Sequence, residues 1–263
     1  MQINLDGKIS LVTADSKGIG RAAAKALHNA GARVAICARG QKDLDQAVQD
    51  LGGAHSGEIL AMRGDIGHAA FLKRLVAETT RRLGGGIDIL VCNSGGPPAG
   101  PVFGFFEDAW KGALDRNLLS AVRLSALVTP GMQKKNWGRL IFLTSTTATE
   151  PDSGMVLSNV TRAGVAAFSK TVARELGPFG ITANTILTGG CLTDRLYSLI
   201  EKDIKGTRKS MKTALTEISA SIPVGHIATP DEFAQTILFL ASPEAGYVNG
   251  VALPVDGGYS KGI

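Results

Sequence analysis

Cysteine, aromatic residues and long apolar runs are all scarce in this chain of 263 residues. Its three cysteines, Cys37, Cys92 and Cys191, lie far apart and match neither a metal-ligand nor a disulfide pattern, so we expect buried thiols in a reducing compartment. No uninterrupted apolar stretch is long enough to span a bilayer, and the first residues lack the basic-then-apolar layout of a signal peptide. The sequence therefore predicts a cytoplasmic protein that is not inserted in a membrane.

Strong charge of one sign is also missing. The formal net charge is only +5, and no motif combines basic with aromatic residues as nucleic-acid-binding modules do. Apolar residues make up 44% of the chain and are spread throughout, which is enough for a large core and argues against disorder. We therefore expect a globular protein whose partner is a small molecule, with no nucleic-acid partner.

Short apolar runs alternate with longer segments of helical periodicity along the chain. The apolar runs are residues 8–13, 33–38, 57–65, 87–96, 138–146, 180–187 and 250–258. The helical segments are residues 18–31, 42–53, 69–85, 107–136, 155–177 and 230–241. Strands that are apolar throughout and separated by helices are typical of a parallel sheet with helices on both faces. No linker divides the chain, so the pattern predicts an α/β protein with one doubly wound Rossmann-type domain over residues 1–263.

Residues 194–222 depart from this alternation, because they form a long polar segment of helical character before the last helix. Insertions after the carboxyl end of a strand border the ligand crevice in open α/β sheets, so we interpret this segment as a helical lid over the substrate. The alternative is a solvated pair of surface helices. The segment contains five basic residues: Lys202, Lys205, Arg208, Lys209 and Lys212.

The stretch "TADSKGIGRAAA", residues 13–24, follows the first predicted strand and opens the first predicted helix. Gly18 and Gly20 allow a tight turn and a close approach of the backbone to a pyrophosphate, and the helix N-terminus offers free N–H groups. A glycine pattern alone is weak, but the strand-turn-helix context favours a dinucleotide site over an ordinary turn.

The end of the second strand indicates which dinucleotide binds. An acidic residue there would pair with the ribose hydroxyls of NAD, whereas this chain has Arg39. Lys17 adds a second positive charge in the glycine turn. Two cations near the adenosine ribose suit a 2′-phosphate, so the sequence favours NADP(H), although each charge alone is compatible with a solvated surface side chain.

Taken in order, the motifs resemble those of the short-chain dehydrogenase/reductase family, in the branch that includes 3-oxoacyl-acyl carrier protein reductases. The matching stretches are the turn at 13–20, "GDI" at 64–66, "CNSG" at 92–95, "RNL" at 116–118, "GRLIFLTS" at 138–145, "TGGCLT" at 188–193 and the C-terminal segments at 222–242 and 248–258. Ala14 replaces the first glycine of the family turn, and Thr188 replaces a proline. The resemblance covers nearly the whole chain and implies a homo-oligomer, a tetramer or a dimer, with residues 107–136 and 155–177 at one interface.

The resemblance also implies a set of site residues. Those expected to contact the cofactor are Thr13, Ser16, Lys17, Gly18, Ile19, Gly20, Arg39, Asp65, Ile66, Asn93, Ser94, Gly95, Arg162, Gly189 and Thr193. The implied catalytic positions are Asn117, Ser145, Ser158 and Arg162. Taken singly, a serine at a strand end or an asparagine in a helix is more often a local hydrogen-bonding residue.

Ser158 and Arg162 occupy the two positions where the family has a catalytic tyrosine and, four residues later, a lysine. The spacing of four places both side chains on one face of a helix. A serine hydroxyl is a poor acid near pH 7, although it can donate a hydrogen bond to a developing oxyanion. Arginine keeps its charge and has a planar donor fork, but it does not shuttle protons.

Three interpretations of this pair are open. The protein can transfer hydride with the proton supplied by water along Asn117, or by Tyr197 on the lid. It can instead bind NADP(H) as a catalytically silent or weakly active sensor or partner subunit. It can also act on an activated substrate that needs no strong acid. The sequence identifies neither the substrate nor the direction of the reaction.

Overall fold

The computed structural model describes residues 2–14, 17–53 and 58–262. Within these residues, seven strands form one sheet in the order β3-β2-β1-β4-β5-β6-β7, and every neighbouring pair is parallel. The strands are β1 (Ile9–Thr13), β2 (Arg33–Ala38), β3 (Ile59–Arg63), β4 (Ile89–Cys92), β5 (Gly138–Leu143), β6 (Ile181–Thr188) and β7 (Ala252–Val255). The predicted α/β class and doubly wound parallel sheet are confirmed.

Helices connect the strands and cover both faces of the sheet. They are α1 (Gly18–Asn29), α2 (Gln41–Asp50), α3 (Ala69–Arg82), α4 (Glu107–Ala113), α5 (Ser120–Lys135), α6 (Val156–Leu176), α7 (Asp194–Ile204), α8 (Met211–Ser221) and α9 (Pro230–Ala241). One core cluster packs α1, α2 and α9 against one face, and a second packs α3, α5 and α6 against the other. No helix in the described part of the chain is long and apolar enough to cross a membrane.

The apolar character of the strands explains this two-sided burial. Every residue of β1, β4 and β5 is buried, as expected for strands that contact helices on both faces. The strand order reverses between β1 and β4, so the connections that follow these two strands diverge to opposite faces of the sheet. The crevice that opens at their carboxyl ends is where open α/β sheets bind ligands.

Two segments differ in detail from the sequence pattern. The helical pattern of residues 107–136 corresponds to α4 and α5, which are joined by a π-helical turn at Leu114–Leu119. The polar segment 194–222 forms two separate helices, α7 and α8. The turn matters for the site because it contains Asn117.

Candidate active site

A cavity of about 810 Å³ opens at the carboxyl ends of the central strands. Its wall includes the N-terminus of α1, the segments that follow β2, β3, β4 and β5, the first turns of α6 and the start of α7. The volume lies in the range of cavities that enclose cofactors and small molecules. The cavity is therefore at the place where the fold predicts ligand binding.

The ends of β1 and β4 are tied together beside this cavity. Thr13 Oγ1 donates to the carbonyl of Asn93 at 2.7 Å and accepts from its backbone N–H at 3.0 Å. Asn93 Nδ2 donates to the carbonyl of Ala14 at 3.0 Å. Thr13 and Asn93, both expected near the cofactor, thus fix the floor of the crevice.

Ala14 has a φ of 49°, in the left-handed region that favours glycine. The family turn has glycine at this position, so the backbone keeps the glycine conformation although the residue has changed. A methyl group there costs about 1–2 kcal/mol relative to ordinary backbone conformations. The turn is therefore a strained element of the described structure.

The N-terminus of α1 faces the cavity without a side-chain cap. Gly18 has a φ of 58°, and a side chain on it would place a carbon 2.9 Å from Thr193 Cγ2. Gly18, Ile19 and Thr193 line the cavity, while Gly20 is buried in the first turn of the helix. The uncapped N–H groups are a site for an anion such as a pyrophosphate. Ser16, also expected to contact the cofactor, lies outside the described residues.

The two cations expected near the adenosine ribose differ in their surroundings. Lys17 lies 3.4 Å from Asp43 and 3.3 Å from Asp194, so these two carboxylates partly neutralise it. Arg39 is exposed at the end of β2, and Arg63 Nε donates to its carbonyl at 3.2 Å. Sequence reasoning overlooked Arg63, although the parallel register pairs it with Ala38 and therefore places it beside Arg39.

Asp65 lies at the mouth of the cavity in an ion pair with Arg116. Burial opposes the charged carboxylate, but the backbone N–H of Gly67 and the Arg116 guanidinium hold the pKa of Asp65 below its ordinary value. The neighbouring Ile66 is buried and also lines the cavity. Both residues, expected to contact the cofactor, therefore line the cavity, and Asp65 is already paired.

Asn117 is buried in the π-helical turn and points toward the segment that follows β4. Its Nδ2 donates to Ser94 Oγ at 3.0 Å and to the carbonyl of Gly95 at 3.2 Å. In the same turn, Ser120 Oγ donates to the carbonyl of Arg116 at 2.7 Å. A π-helical turn inserts one residue into a helix, and such turns are frequent at functional sites.

Ser145 and Ser158 both contact Thr147. Ser145 Oγ accepts from the backbone N–H of Thr147 at 3.2 Å, which begins a short helical turn at Thr146–Ala148. The hydroxyls of Thr147 and Ser158 lie 3.4 Å apart. Both serines line the cavity, so the structure brings together two residues that are thirteen positions apart in sequence. Sequence reasoning did not identify Thr147, whose only signal was its position two residues after Ser145.

Arg162 is buried one turn after Ser158 on α6, with 7% of its surface exposed. Its Nη1 donates to the carbonyl of Leu143 at 2.5 Å and its Nη2 to that of Ser94 at 3.3 Å. Its Nε has no hydrogen-bond partner among the described residues. Burial, with a smaller contribution from Arg195, lowers the pKa of Arg162 to about 10.

The segment at 188–195 closes the cavity opposite α6. Gly189 packs against Asp256 so closely that a side chain on it would place a carbon 2.7 Å from the Asp256 Cα. Arg195, which sequence reasoning overlooked, lines the cavity, whereas Tyr197 is exposed on the same helix and is not part of the cavity wall. Tyr197 is therefore not positioned as a substitute acid in this structure.

Comparison with known proteins assigns the family. A model of the family described as enoyl-(acyl carrier protein) reductase matches residues 13–260. The chain belongs to the short-chain dehydrogenase/reductase family. Within this family it is 36% identical over 256 residues to a 3-oxoacyl-(acyl-carrier-protein) reductase of Vibrio cholerae, covering 97% of this chain and 98% of that one. It is 34% identical to human dehydrogenase/reductase SDR family member 4, over 97% of this chain and 88% of that one.

Solved structures of family members agree with this assignment. The L-sorbose reductase of Gluconobacter frateurii, complexed with NADPH and L-sorbose, superposes with a TM-score of 0.93 at 30% identity over the full length of both chains. A variant of actinorhodin polyketide ketoreductase with NADPH superposes with a TM-score of 0.91 at 29% identity, over 97% of this chain and 98% of that one. The chain is thus similar throughout to reductases of this family.

Proposed function

We propose that this protein is an NADP(H)-dependent oxidoreductase that interconverts a carbonyl and an alcohol by hydride transfer at an atypical active site. The observation behind the proposal is the convergence of Ser145, Ser158 and Arg162 on one cavity that also contains the glycine turn. The residues around this cavity of about 810 Å³ could therefore bind a hydride carrier, donate hydrogen bonds from hydroxyl groups and provide a fixed positive charge.

The cavity fits a nicotinamide dinucleotide. The uncapped N-terminus of α1 and the turn at Gly18 suit the pyrophosphate. Arg39 and Arg63 at the ends of β2 and β3 would bind the 2′-phosphate, and Asp65 would face the adenine. The bound nicotinamide would supply or accept the hydride.

The side chains around the carbonyl act through hydrogen bonds and charge. Ser145 Oγ already accepts from the Thr147 amide, so its own hydrogen is free to donate to the carbonyl oxygen. Ser158 Oγ lines the same cavity and would provide a second donor. Arg162 contributes a fixed positive charge that stabilises the negative charge developing on that oxygen.

The proton must come from another source, because a serine hydroxyl is too weak an acid and an arginine does not exchange its proton near pH 7. We assign it to water that enters along Asn117, whose Nδ2 is fixed by Ser94 and Gly95 while its Oδ1 remains available. The helices α7 and α8 serve as the lid, since the start of α7 already forms part of the cavity wall.

An absorbance assay tests this proposal. The purified protein is mixed with NADPH or NADH and a panel of ketones, aldehydes and 3-oxoacyl thioesters, and loss of the nicotinamide band is followed. We expect turnover of at least one panel member, with NADPH used better than NADH. Binding of NADPH without turnover across the panel would favour a silent sensor or partner subunit, and absence of nicotinamide binding would refute both functions.

A further inference from the structure

Two arginines with no carboxylate partner face the same end of the cavity. Arg162 and Arg195 both line it, and within the described ranges neither lies within 4 Å of an acidic oxygen, whereas Lys17 in the glycine turn pairs with two carboxylates. Arg162 is buried and Arg195 is partly buried. Charges that are removed from water are normally paired with an opposite charge.

Both guanidinium groups donate hydrogen bonds to the same short segment that follows β4. Arg162 Nη2 donates to the carbonyl of Ser94 at 3.3 Å, and Arg195 Nη2 donates to that of Pro97 at 2.8 Å. Gly96 lies between these carbonyls, and a side chain on it would place a carbon 2.9 Å from Arg195 Nε. The absence of a side chain at Gly96 therefore creates the space that the Arg195 guanidinium fills.

The charges of the two arginines also influence each other. Burial is the main cause that lowers the pKa of Arg162, and the repulsion from Arg195 adds to it. Burial likewise lowers the pKa of Arg195. Two cations that lie close enough to repel, without an intervening acidic side chain, attract an anion.

An anionic oxygen group could come from the cofactor or from the substrate. The pyrophosphate is expected at the N-terminus of α1, and the 2′-phosphate beside Arg39. The hydrogen bonds of Arg162 and Arg195 point instead to the segment 94–97, on the side of Ser145 and Ser158. This location favours the substrate.

We infer that the substrate is an oxo acid, or its hydroxy acid in the reverse direction, whose carboxylate pairs with Arg195 beside Arg162. The inference rests on the proposed carbonyl–alcohol chemistry and adds the substrate class. In the forward reaction the carbonyl carbon gains the hydride of NADPH, its oxygen gains a proton from water, and NADP⁺ and the hydroxy acid leave. The carboxylate itself takes no part in the electron transfer.

Binding and turnover are both measured, so that the two proposals can fail separately. The probes are 2-oxo, 3-oxo and 4-oxo straight-chain acids and their methyl esters, which differ from the acids in charge. Fluorescence titration gives the equilibrium dissociation constant of NADPH. It also gives those of the corresponding straight-chain carboxylates without an oxo group, measured in the presence of NADP⁺. The proteins compared are the wild type, Arg195→Met, Arg195→Lys and the control Arg208→Met, because Arg208 is an exposed arginine between α7 and α8.

We expect the wild type to prefer at least one acid over its ester in kcat/KM, and Arg195→Met to lose about tenfold to a hundredfold in that preference and in carboxylate binding. Arg195→Lys should retain part of both, and Arg208→Met should match the wild type. NADPH affinity should change by less than about threefold in all variants. A wild type that binds no carboxylate, or an Arg195→Met protein that binds carboxylates normally, overturns the inference.

Loss of NADPH binding in Arg195→Met with an unchanged acid-to-ester ratio also overturns it, because Arg195 would then bind the cofactor. Carboxylate binding that depends on Arg195 without any turnover supports the anion site and counts against the proposed reaction. Failure of the proposed function is thereby distinguishable from failure of the substrate assignment.

Discussion

Replacing Arg162 with methionine should separate its effect on stability from its effect on ligand binding. Burial lowers the pKa of this side chain to about 10, a shift that corresponds to about 3 kcal/mol against the charged form. Its two hydrogen bonds to the carbonyls of Leu143 and Ser94 contribute about 1.5–3 kcal/mol each in the opposite direction. These terms nearly cancel, so we expect the substitution to lower the free energy of unfolding by only about 0–3 kcal/mol.

Arg139 is the matched control, because it is also buried, with 3% of its surface exposed, but its guanidinium makes three hydrogen bonds and a cation–π contact. Its guanidinium donates to the carbonyls of Ser242, Gly138 and Gly180 at 3.1, 2.9 and 3.3 Å, and it lies 4.4 Å from the centre of the Trp137 ring. We expect Arg139→Met to lower the free energy of unfolding by about 4 kcal/mol or more.

Urea denaturation followed by circular dichroism, with and without NADPH, measures both effects. A ligand at a hundred times its dissociation constant stabilises the folded protein by about 2.7 kcal/mol. We expect this increment to persist in Arg139→Met and to be reduced in Arg162→Met, because Arg162 is also one of the residues that the family resemblance implies for cofactor binding. An Arg162→Met protein that is destabilised as much as Arg139→Met, and still gains the full NADPH increment, would show that Arg162 is structural and would refute the reasoning.

Four further variants address the cofactor, the proton and the glycine turn. Arg39→Asp should weaken NADPH binding by about tenfold to a hundredfold relative to NADH in a fluorescence titration, and equal losses for both nucleotides would contradict this. Asp43→Asn, which removes one of the two carboxylates beside Lys17, should tighten NADPH binding slightly. Ser158→Tyr combined with Arg162→Lys should raise ketone reduction by about a hundredfold, because it supplies a general acid; an unchanged rate in the absorbance assay would indicate a different native reaction. Ala14→Gly should stabilise the protein by about 0.5–1 kcal/mol in thermal denaturation, since the left-handed strain disappears; a lower melting temperature would argue against that strain.

Much of the fold is predictable from the sequence because strands buried on both faces are apolar throughout, and β1, β4 and β5 are of this kind. The glycine turn could also be located, because the backbone conformation of Gly18 and its close approach to Thr193 disfavour a side chain at this position. A local constraint of this kind can be recognised from the residue type at a single position.

The interactions of the site depend on contacts between residues that are distant in sequence, and no local sequence pattern indicates such contacts. The partial neutralisation of Lys17 requires Asp194, which lies far away in sequence, and Arg195 reaches the cavity only because α7 packs against the segment after β4. The π-helical turn at Leu114–Leu119 is likewise hidden, because its residues have ordinary helical character. Arg63 is an intermediate case, since the strand register would have placed it beside Arg39.

The hydrogen bonds between Thr13 and Asn93 have a consequence for the speed and strength of binding. They connect the ends of the two neighbouring strands whose following connections diverge, so the floor of the cavity already exists before a ligand arrives. A preformed floor reduces the conformational entropy that binding must remove. Any slow, ordering step should then belong to α7 and α8, and residence time should respond to changes in those helices more than to changes at the strand ends.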